Sequence, residues 1–313
     1  MDFADLKLHT GQPLPPRLVT TVSKWAQREL TPGWLESLPA TVSELCGKWR
    51  IELDAVIPET NITLVLLGHS AELGPVVIKS SPIIDEFRSE ATALELVASD
   101  NVARLHDVDF ERNIMVIERI VPGTQLLNAG MTDENATRLA AETVATMWHP
   151  VPNPDGLHPL RQWMRALFDW PPHPELIAPD LIQHAQELGS ALLARSSRVC
   201  LLHGDFQHHN LLQRENGEWA IIDPKGVVGD PGFEIAAWMY NPPGVTARDD
   251  YLDLAERRVA ICSEVWGIDP QKLIAWAFVG AVLSACWSAS DSTTEGLLNH
   301  FDLGAHKLRT LLR

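Results

Sequence analysis

From Trp49 onward, apolar residues recur at every second position. That period predicts strands over 49–56, 61–67 and 76–80, with turns at Pro58-Glu59-Thr60-Asn61 and between Gly68 and Pro75. Two more short apolar runs, 103–105 and 114–117, predict further strands. Between the two groups Phe87, Ala91 and Leu94 share one face of a predicted helix over 87–98. Ahead of the sheet, Pro13, Pro15, Pro16, Pro32, Gly33 and Pro39 punctuate the first forty-five residues. Short helices are expected there over 18–30 and 41–46, the second opened by the capping box Thr41-Val42-Ser43-Glu44. Beyond Ile120 the period becomes helical over 132–148, 160–170, 179–195, 233–240, 248–266, 270–288 and 300–312. The pattern predicts an α+β protein split near Ile120. Its first lobe, 1–120, has a helical extension (1–46) and a sheet (47–120), and its second, 121–313, is mainly helical.

One stretch of the helical half breaks the pattern. Leu201 and Leu202 run into His203-Gly204-Asp205, and Asn210 follows five residues after that aspartate. Leu211-Leu212, then Glu215-Asn216-Gly217, then Trp219 to Ile222 spell a hairpin with an Asn-Gly turn. The returning strand delivers Asp223 beside the loop it left. Phosphoryl transfer needs such a set. One carboxylate (Asp205) orients the attacking hydroxyl and accepts its proton, while an amide oxygen (Asn210) and a second carboxylate (Asp223) hold Mg²⁺. His-x-Asp-x-x-x-x-Asn followed by a hairpin and Asp is the spacing of a kinase catalytic loop and metal site. Only Pro224 to Gly229 separate Asp223 from Asp230-Pro231-Gly232, which leaves no room for the long activation loop of a protein kinase. Gly204 also stands where a protein kinase has the Arg that reads a phosphorylated loop. The acceptor expected is a small molecule rather than a peptide. Asp230 resembles the aspartate with which kinases pin the catalytic loop through its N–H groups, and a structural role is expected for it.

These residues resemble the aminoglycoside phosphotransferase superfamily, and within it the streptomycin 6-phosphotransferase and hydroxyurea phosphotransferase family. The likeness is carried by His203, Gly204, Asp205, His208, His209 and Asn210, then Ile222, Asp223, Pro224, Gly226, Val228 and Gly229. Phe206 and Gln207 depart from that family's usual Leu and His. The resemblance implies a two-lobed protein-kinase-like fold and an ATP- and Mg²⁺-dependent kinase. Its acceptor would be a hydroxyl, of an aminoglycoside such as streptomycin first. Hydroxyurea, an amino sugar or a choline-like alcohol are the alternatives, and a nucleotide-binding pseudokinase is the non-enzymatic one.

The rest of the nucleotide site is sought in the first lobe. Lys79 ends an apolar strand, where a kinase sets an ammonium against the α and β phosphates. Glu90 on the following helix, or else Glu86, would hold it. No Gly-x-Gly-x-x-Gly is present. The resembled family uses a Ser/Thr-rich turn instead, which makes Thr60, Asn61 and Thr63 the candidates for the phosphates. The run Glu118-Arg119-Ile120-Val121-Pro122-Gly123 reads as a hinge, with the backbone of Glu118 and Ile120 set to meet adenine. Near the C-terminus Trp287, Asp291 and Glu295 could hold a cationic acceptor by cation–π contact and ion pairing.

Composition changes this picture little. Net charge is −16, which disfavours nucleic acid and anionic membranes and suits a cationic substrate. Cys46, Cys200, Cys262 and Cys286 are far apart and read as buried thiols. His203, His208 and His209 have no Cys or carboxylate spaced to complete a zinc site. No apolar run reaches the length of a membrane span and the N-terminus lacks a basic start, so the cytoplasm is expected; a monomer is expected as well.

Overall fold

The computed structural model describes every residue except 1–5, 25–29, 61, 98, 172–174 and 291–294. Two compact units emerge: residues 1–123 with 214–216, and 124–213 with 217–313.

The first unit is built on an antiparallel sheet of β1 (Ile51–Val56), β2 (Leu64–Ser70), β3 (Gly74–Ser80), β4 (Leu105–Asp109) and β5 (Ile114–Glu118), in the order β1-β2-β3-β5-β4. Alternation sorts its two faces. Leu64, Leu66, Val76 and Ile78 point into a core shared with helices α1 (Pro16–Lys24) and α2 (Trp34–Trp49). Lys79, between Ile78 and Ser80, therefore faces the other way, toward helix α3 (Ile84–Leu96).

Two sequence expectations need correction here. Thr41 is not a cap. It is buried inside α2, which starts after Gly33 (φ 70°) and runs straight through Pro39. Proline removes one helical hydrogen bond, but Leu35, Leu38, Val42 and Leu45 are all buried along this helix, and their packing keeps it continuous. The second strand begins at Leu64 rather than 61, because Pro58 and Glu59 turn the chain after β1 and Ile62 and Thr63 lie in a bend.

Strand β6 (Pro122–Gln125) carries the chain into the second unit. Its helices are α4 (Asp133–Ala145), α5 (Leu160–Trp163), α6 (Arg165–Phe168), α7 (Pro179–Ala194), α8 (Ile235–Met239), α9 (Tyr251–Trp266), α10 (Pro270–Ser290) and α11 (Glu295–Arg309). Thr132 caps α4 by accepting a hydrogen bond from the Asn135 N–H. The expected single helix over 160–170 is split into α5 and α6 at Met164. A small sheet joins β7 (His158–Pro159), β11 (Val227–Gly229) and β8 (Cys200–Leu202), and β9 (Leu211–Arg214) pairs with β10 (Trp219–Ile221) as a hairpin.

Helix α10 is the axis of this unit, packed by α7, α8 and α11. It corrects the expectation that no apolar run reaches span length: over 21 residues its best window has mean hydropathy 1.7. That window is 83% buried within the protein, as expected for a core helix. Gly280 is its point of closest approach. A Cβ there would lie 2.3 Å from Cβ of Ala236 in α8. Gly280→Ala should therefore lower the denaturation midpoint, because overpacking costs roughly 1–3 kcal/mol and exceeds the ~1 kcal/mol that alanine gains in helix propensity. An unchanged or higher midpoint would show that α8 yields freely.

Candidate active site

The loop after β8 is held from both sides. Gly204 turns the chain at φ 83°, a conformation that glycine reaches without penalty, with its Cα against Val227 and Lys225. The imidazole of His203 then ties the loop to the hairpin. Its Nδ1 accepts from the Asp205 N–H at 3.2 Å, which leaves Nε2 to donate to the Ile222 carbonyl at 2.9 Å. One tautomer satisfies both bonds, and it places Asp205 and Asp223 on either side of a single buried ring. The Ile222 N–H also reaches the Asn210 carbonyl at 3.0 Å, so the hairpin closes directly under the loop.

Within this frame the three candidate side chains come together. Asn210 is buried, and its amide N–H donates to the Asp205 carbonyl at 3.0 Å. That bond fixes which end of the amide remains as an oxygen ligand. Asp223 sits in the left-handed region at φ 63°, and its carboxylate pairs with the Lys225 ammonium at 2.7 Å. Asp205 accepts from the Gln207 amide at 3.1 Å. Burial pushes the Asp205 carboxyl up to about 6; Lys225 and the Gln207 bond pull it down, and the negative charge of Asp223 pushes it up.

Donor chemistry decides what this set could hold. One amide oxygen and one carboxylate are hard ligands suited to Mg²⁺. Among the described residues no group of three His, Cys, Asp or Glu could close around a metal, so phosphate oxygens and water would have to complete the shell. The neighbouring histidines point elsewhere. His208 stacks on Trp238 at 3.8 Å and is held neutral, its pKa lowered to about 3 chiefly by burial. His209 meets the Gln125 amide at 3.2 Å.

Sequence reasoning missed the residue that anchors this loop. Asp230 resembled the aspartate that pins a kinase catalytic loop, but its carboxylate is spent on the Gly232 N–H at 2.9 Å and the Lys272 ammonium at 2.6 Å. Glu234 does the pinning: one carboxyl oxygen accepts from both the His203 and Gly204 N–H groups. Lys225 and Gln207 were also missed as neighbours of the acidic pair, although both lie two residues from an aspartate already singled out.

Glu234 is fully buried, and burial pushes its pKa from 4.5 to about 8. The folded protein therefore keeps a proton that the unfolded chain releases. The stability tied to that proton is complete below pH 4.5 and is lost as pH rises toward 8. Glu234→Gln stays neutral throughout, so its denaturation midpoint relative to wild type should improve from pH 5 to pH 8. A pH-independent difference would mean that Glu234 is already ionised.

In the first unit, Lys79 meets Glu90 at 2.6 Å, with both side chains largely buried. Glu90, rather than Glu86, is the partner. The Glu118 carboxylate is occupied by Arg214 and the Arg104 N–H, its backbone N–H donates to the Arg104 carbonyl at 2.8 Å, and Ile120 is buried. That carboxylate lines an outer cleft of about 560 Å³ with Arg104, His106, Arg119 and Arg214. Thr60 bonds back to the Ile57 carbonyl at 3.5 Å, and Thr63 lies in a bend just before β2. Asn61, Asp291 and the side chain of Glu295 lie outside the described residues. Trp287 is 36% exposed near the end of α10.

Residues 48–292 match the family model described as "Aminoglycoside/hydroxyurea antibiotic resistance kinase". Streptomycin 3''-kinase of Klebsiella pneumoniae is 28% identical over 83% of this chain and 97% of its own length. Streptomycin 6-kinase of Streptomyces glaucescens is 26% identical over 83% of this chain and 86% of its own length. Among solved structures, a choline kinase from Streptococcus pneumoniae superposes with TM-score 0.63 at 13% identity, covering 87% of this chain and 99% of that one. The protein-kinase-like fold is thus shared well beyond recognisable sequence similarity. The loop, the hairpin and the family match converge on one conclusion: this chain belongs to the aminoglycoside/hydroxyurea antibiotic resistance kinases and is a small-molecule phosphotransferase acting on a hydroxyl acceptor.

Proposed function

We propose that the protein transfers the γ-phosphoryl group of ATP to a ring hydroxyl of a cationic aminocyclitol, with streptomycin the leading candidate. The observation that carries the mechanism is the joint placement of Asp205, Asn210 and Asp223 on one loop and hairpin, bridged by His203. Asp205 would orient the hydroxyl and take its proton, a role suited to a carboxylate whose pKa is raised to about 6. The Asn210 amide oxygen and the Asp223 carboxylate would hold Mg²⁺, which supplies charge neutralisation at the phosphates. Lys79, steadied by Glu90, would meet the α and β phosphates. The turn carrying Thr60, Asn61 and Thr63 would supply backbone N–H groups and hydroxyls to the phosphates, and the Glu118 and Ile120 backbone would meet adenine.

Support for the acceptor is of two kinds. Two relatives carry streptomycin in their names, with different positions, 3'' and 6, so the hydroxyl chosen is a property of each chain. The net charge of −16 favours the approach of cations, a steering effect that salt would weaken. Incubation of the purified protein with streptomycin and Mg-ATP, followed by mass spectrometry, tests the reading. A gain of about 80 Da, one phosphoryl group, supports it. An enzyme that binds ATP yet leaves streptomycin unmodified removes it, and hydroxyurea, an amino sugar or a choline-like alcohol then becomes the acceptor to try.

A further inference from the structure

Apart from its catalytic loop, the second unit has a second set of rings facing one another. His158 on β7 lies 5.4 Å from Trp163 on α5, centroid to centroid, and Trp163 lies 5.4 Å from Trp287 on α10 at an interplanar angle of 70°. The three come from segments up to 129 residues apart in the chain, and no sequence period links them.

Their position relative to Asp205 follows from bonded neighbours. Gly204 lies against Val227, since a Cβ on it would be 2.5 Å from Val227 Cγ2. Val227 pairs with Leu202 on one side and with His158 on the other. From His158 the contacts pass through Trp163 to Trp287. Three residues before Trp287, Ser284 bonds the Tyr240 hydroxyl at 2.8 Å. That phenol is pushed above its ordinary value by burial first and then by the negative charge of Asp205. Catalytic turn, β11, β7, α5 and α10 thus form a chain of contacts that leads from Gly204, beside Asp205, to Trp287.

Two features at the far end of this chain point to a ligand. Trp287 is 36% exposed, whereas Ser284, Cys286 and Ser288 beside it are buried, so the most apolar helix of the protein presents an indole to solvent. The indole N–H of Trp163 is buried with no acceptor among the described residues. The exposed indole of Trp287 suits a cation, which the negative face of the ring attracts, and the unsatisfied N–H of half-buried Trp163 beside it suits an oxygen-rich molecule.

We propose that His158, Trp163 and Trp287 form an aromatic wall of the acceptor site, which holds a guanidinium or ammonium group of the substrate while its hydroxyl is presented to Asp205. The inference rests on the small-molecule kinase reading and adds how a cationic acceptor is distinguished from a neutral one.

The test uses the full chain with Trp287→Leu, Trp287→Phe and Trp163→Phe. Binding of streptomycin, choline and tetramethylammonium is measured by calorimetry, and the calorimetric Kd for Mg-ATP, which needs no acceptor, serves as the check that each variant is folded. Trp287→Leu should weaken binding of the cations roughly 3- to 30-fold, the range of a cation–π contact. Trp287→Phe, which keeps a π face, should lose less, and the Kd for Mg-ATP should not move. Equal cation affinity in wild type and Trp287→Leu, or no binding of any of the three cations to wild type at millimolar concentration, overturns the wall. The two readings fail separately. Streptomycin bound through Trp287 but never phosphorylated removes streptomycin as acceptor and keeps the wall. Streptomycin phosphorylated with an unchanged KM in Trp287→Leu keeps the acceptor and removes the wall.

Discussion

Asp205→Asn is expected to cut turnover roughly 10²–10⁴-fold, the usual contribution of a general base, while Mg-ATP affinity stays near the wild-type value. The substitution keeps the size of the side chain and can still meet the Gln207 amide through its oxygen. The loop itself does not depend on that carboxylate. It is fixed by Glu234 on the His203 and Gly204 N–H groups and by the His203 imidazole on the Asp205 N–H. A loss of activity would therefore report chemistry rather than unfolding. The pH profile gives a second reading. A base acts only when deprotonated, so wild-type kcat/KM should fall on the acid side at or below about pH 6, where the Asp205 carboxyl titrates. Cation charge at Asn210 and Asp223 would move that limb lower. The residual activity of Asp205→Asn should lack the limb. Near-normal turnover in the variant would assign the proton to another group.

Why this loop was legible in the sequence, and its anchor was not, has a physical reason. The hairpin is a local event. Leu211 pairs with Ile221, and Gly217 takes φ 87° in the turn, as alternation and Asn-Gly predict. Asp205, Asn210 and Asp223 are brought together by that one short-range structure, so spacing alone was enough to place them. The pairing of Lys79 with Glu90 was legible for a similar reason: eleven residues, one strand end and one helix face separate them. Glu234 acts across 31 residues through a carboxyl with no period or motif of its own, and Asp230-Pro231 nearby carried the more familiar signature. The contact of Trp163 with Trp287 depends on how α10 is seated against α5 and α6, which only tertiary packing decides. Pro39 misled in the opposite direction. Its local preference ends helices, and the buried Leu35, Leu38, Val42 and Leu45 overrode it.

Asp223→Asn should lower turnover by roughly 10²–10³-fold, the scale on which removal of one electrostatic contact to a developing charge is felt, and should raise the Mg²⁺ concentration needed for half-maximal activity. Asparagine is the informative replacement because residue 223 sits at φ 63°. Asn and Asp tolerate the left-handed region better than other side chains, so the backbone is kept and only the charge is removed. Alanine would mix the loss of a ligand with backbone strain. Lys225 sharpens the prediction. In the structure its ammonium occupies one Asp223 oxygen at 2.7 Å, so Mg²⁺ and Lys225 compete for the same carboxylate. Lys225→Met should then lower the Mg²⁺ requirement, opposite in sign to Asp223→Asn, although turnover can fall for other reasons. The measurement is Mg²⁺ titration of ATP binding by calorimetry at fixed ionic strength, which needs no acceptor. Both variants shifting the Mg²⁺ midpoint in the same direction would argue against that competition. An unchanged midpoint in Asp223→Asn would remove Asp223 from the metal site and leave Asn210 as its only assigned ligand.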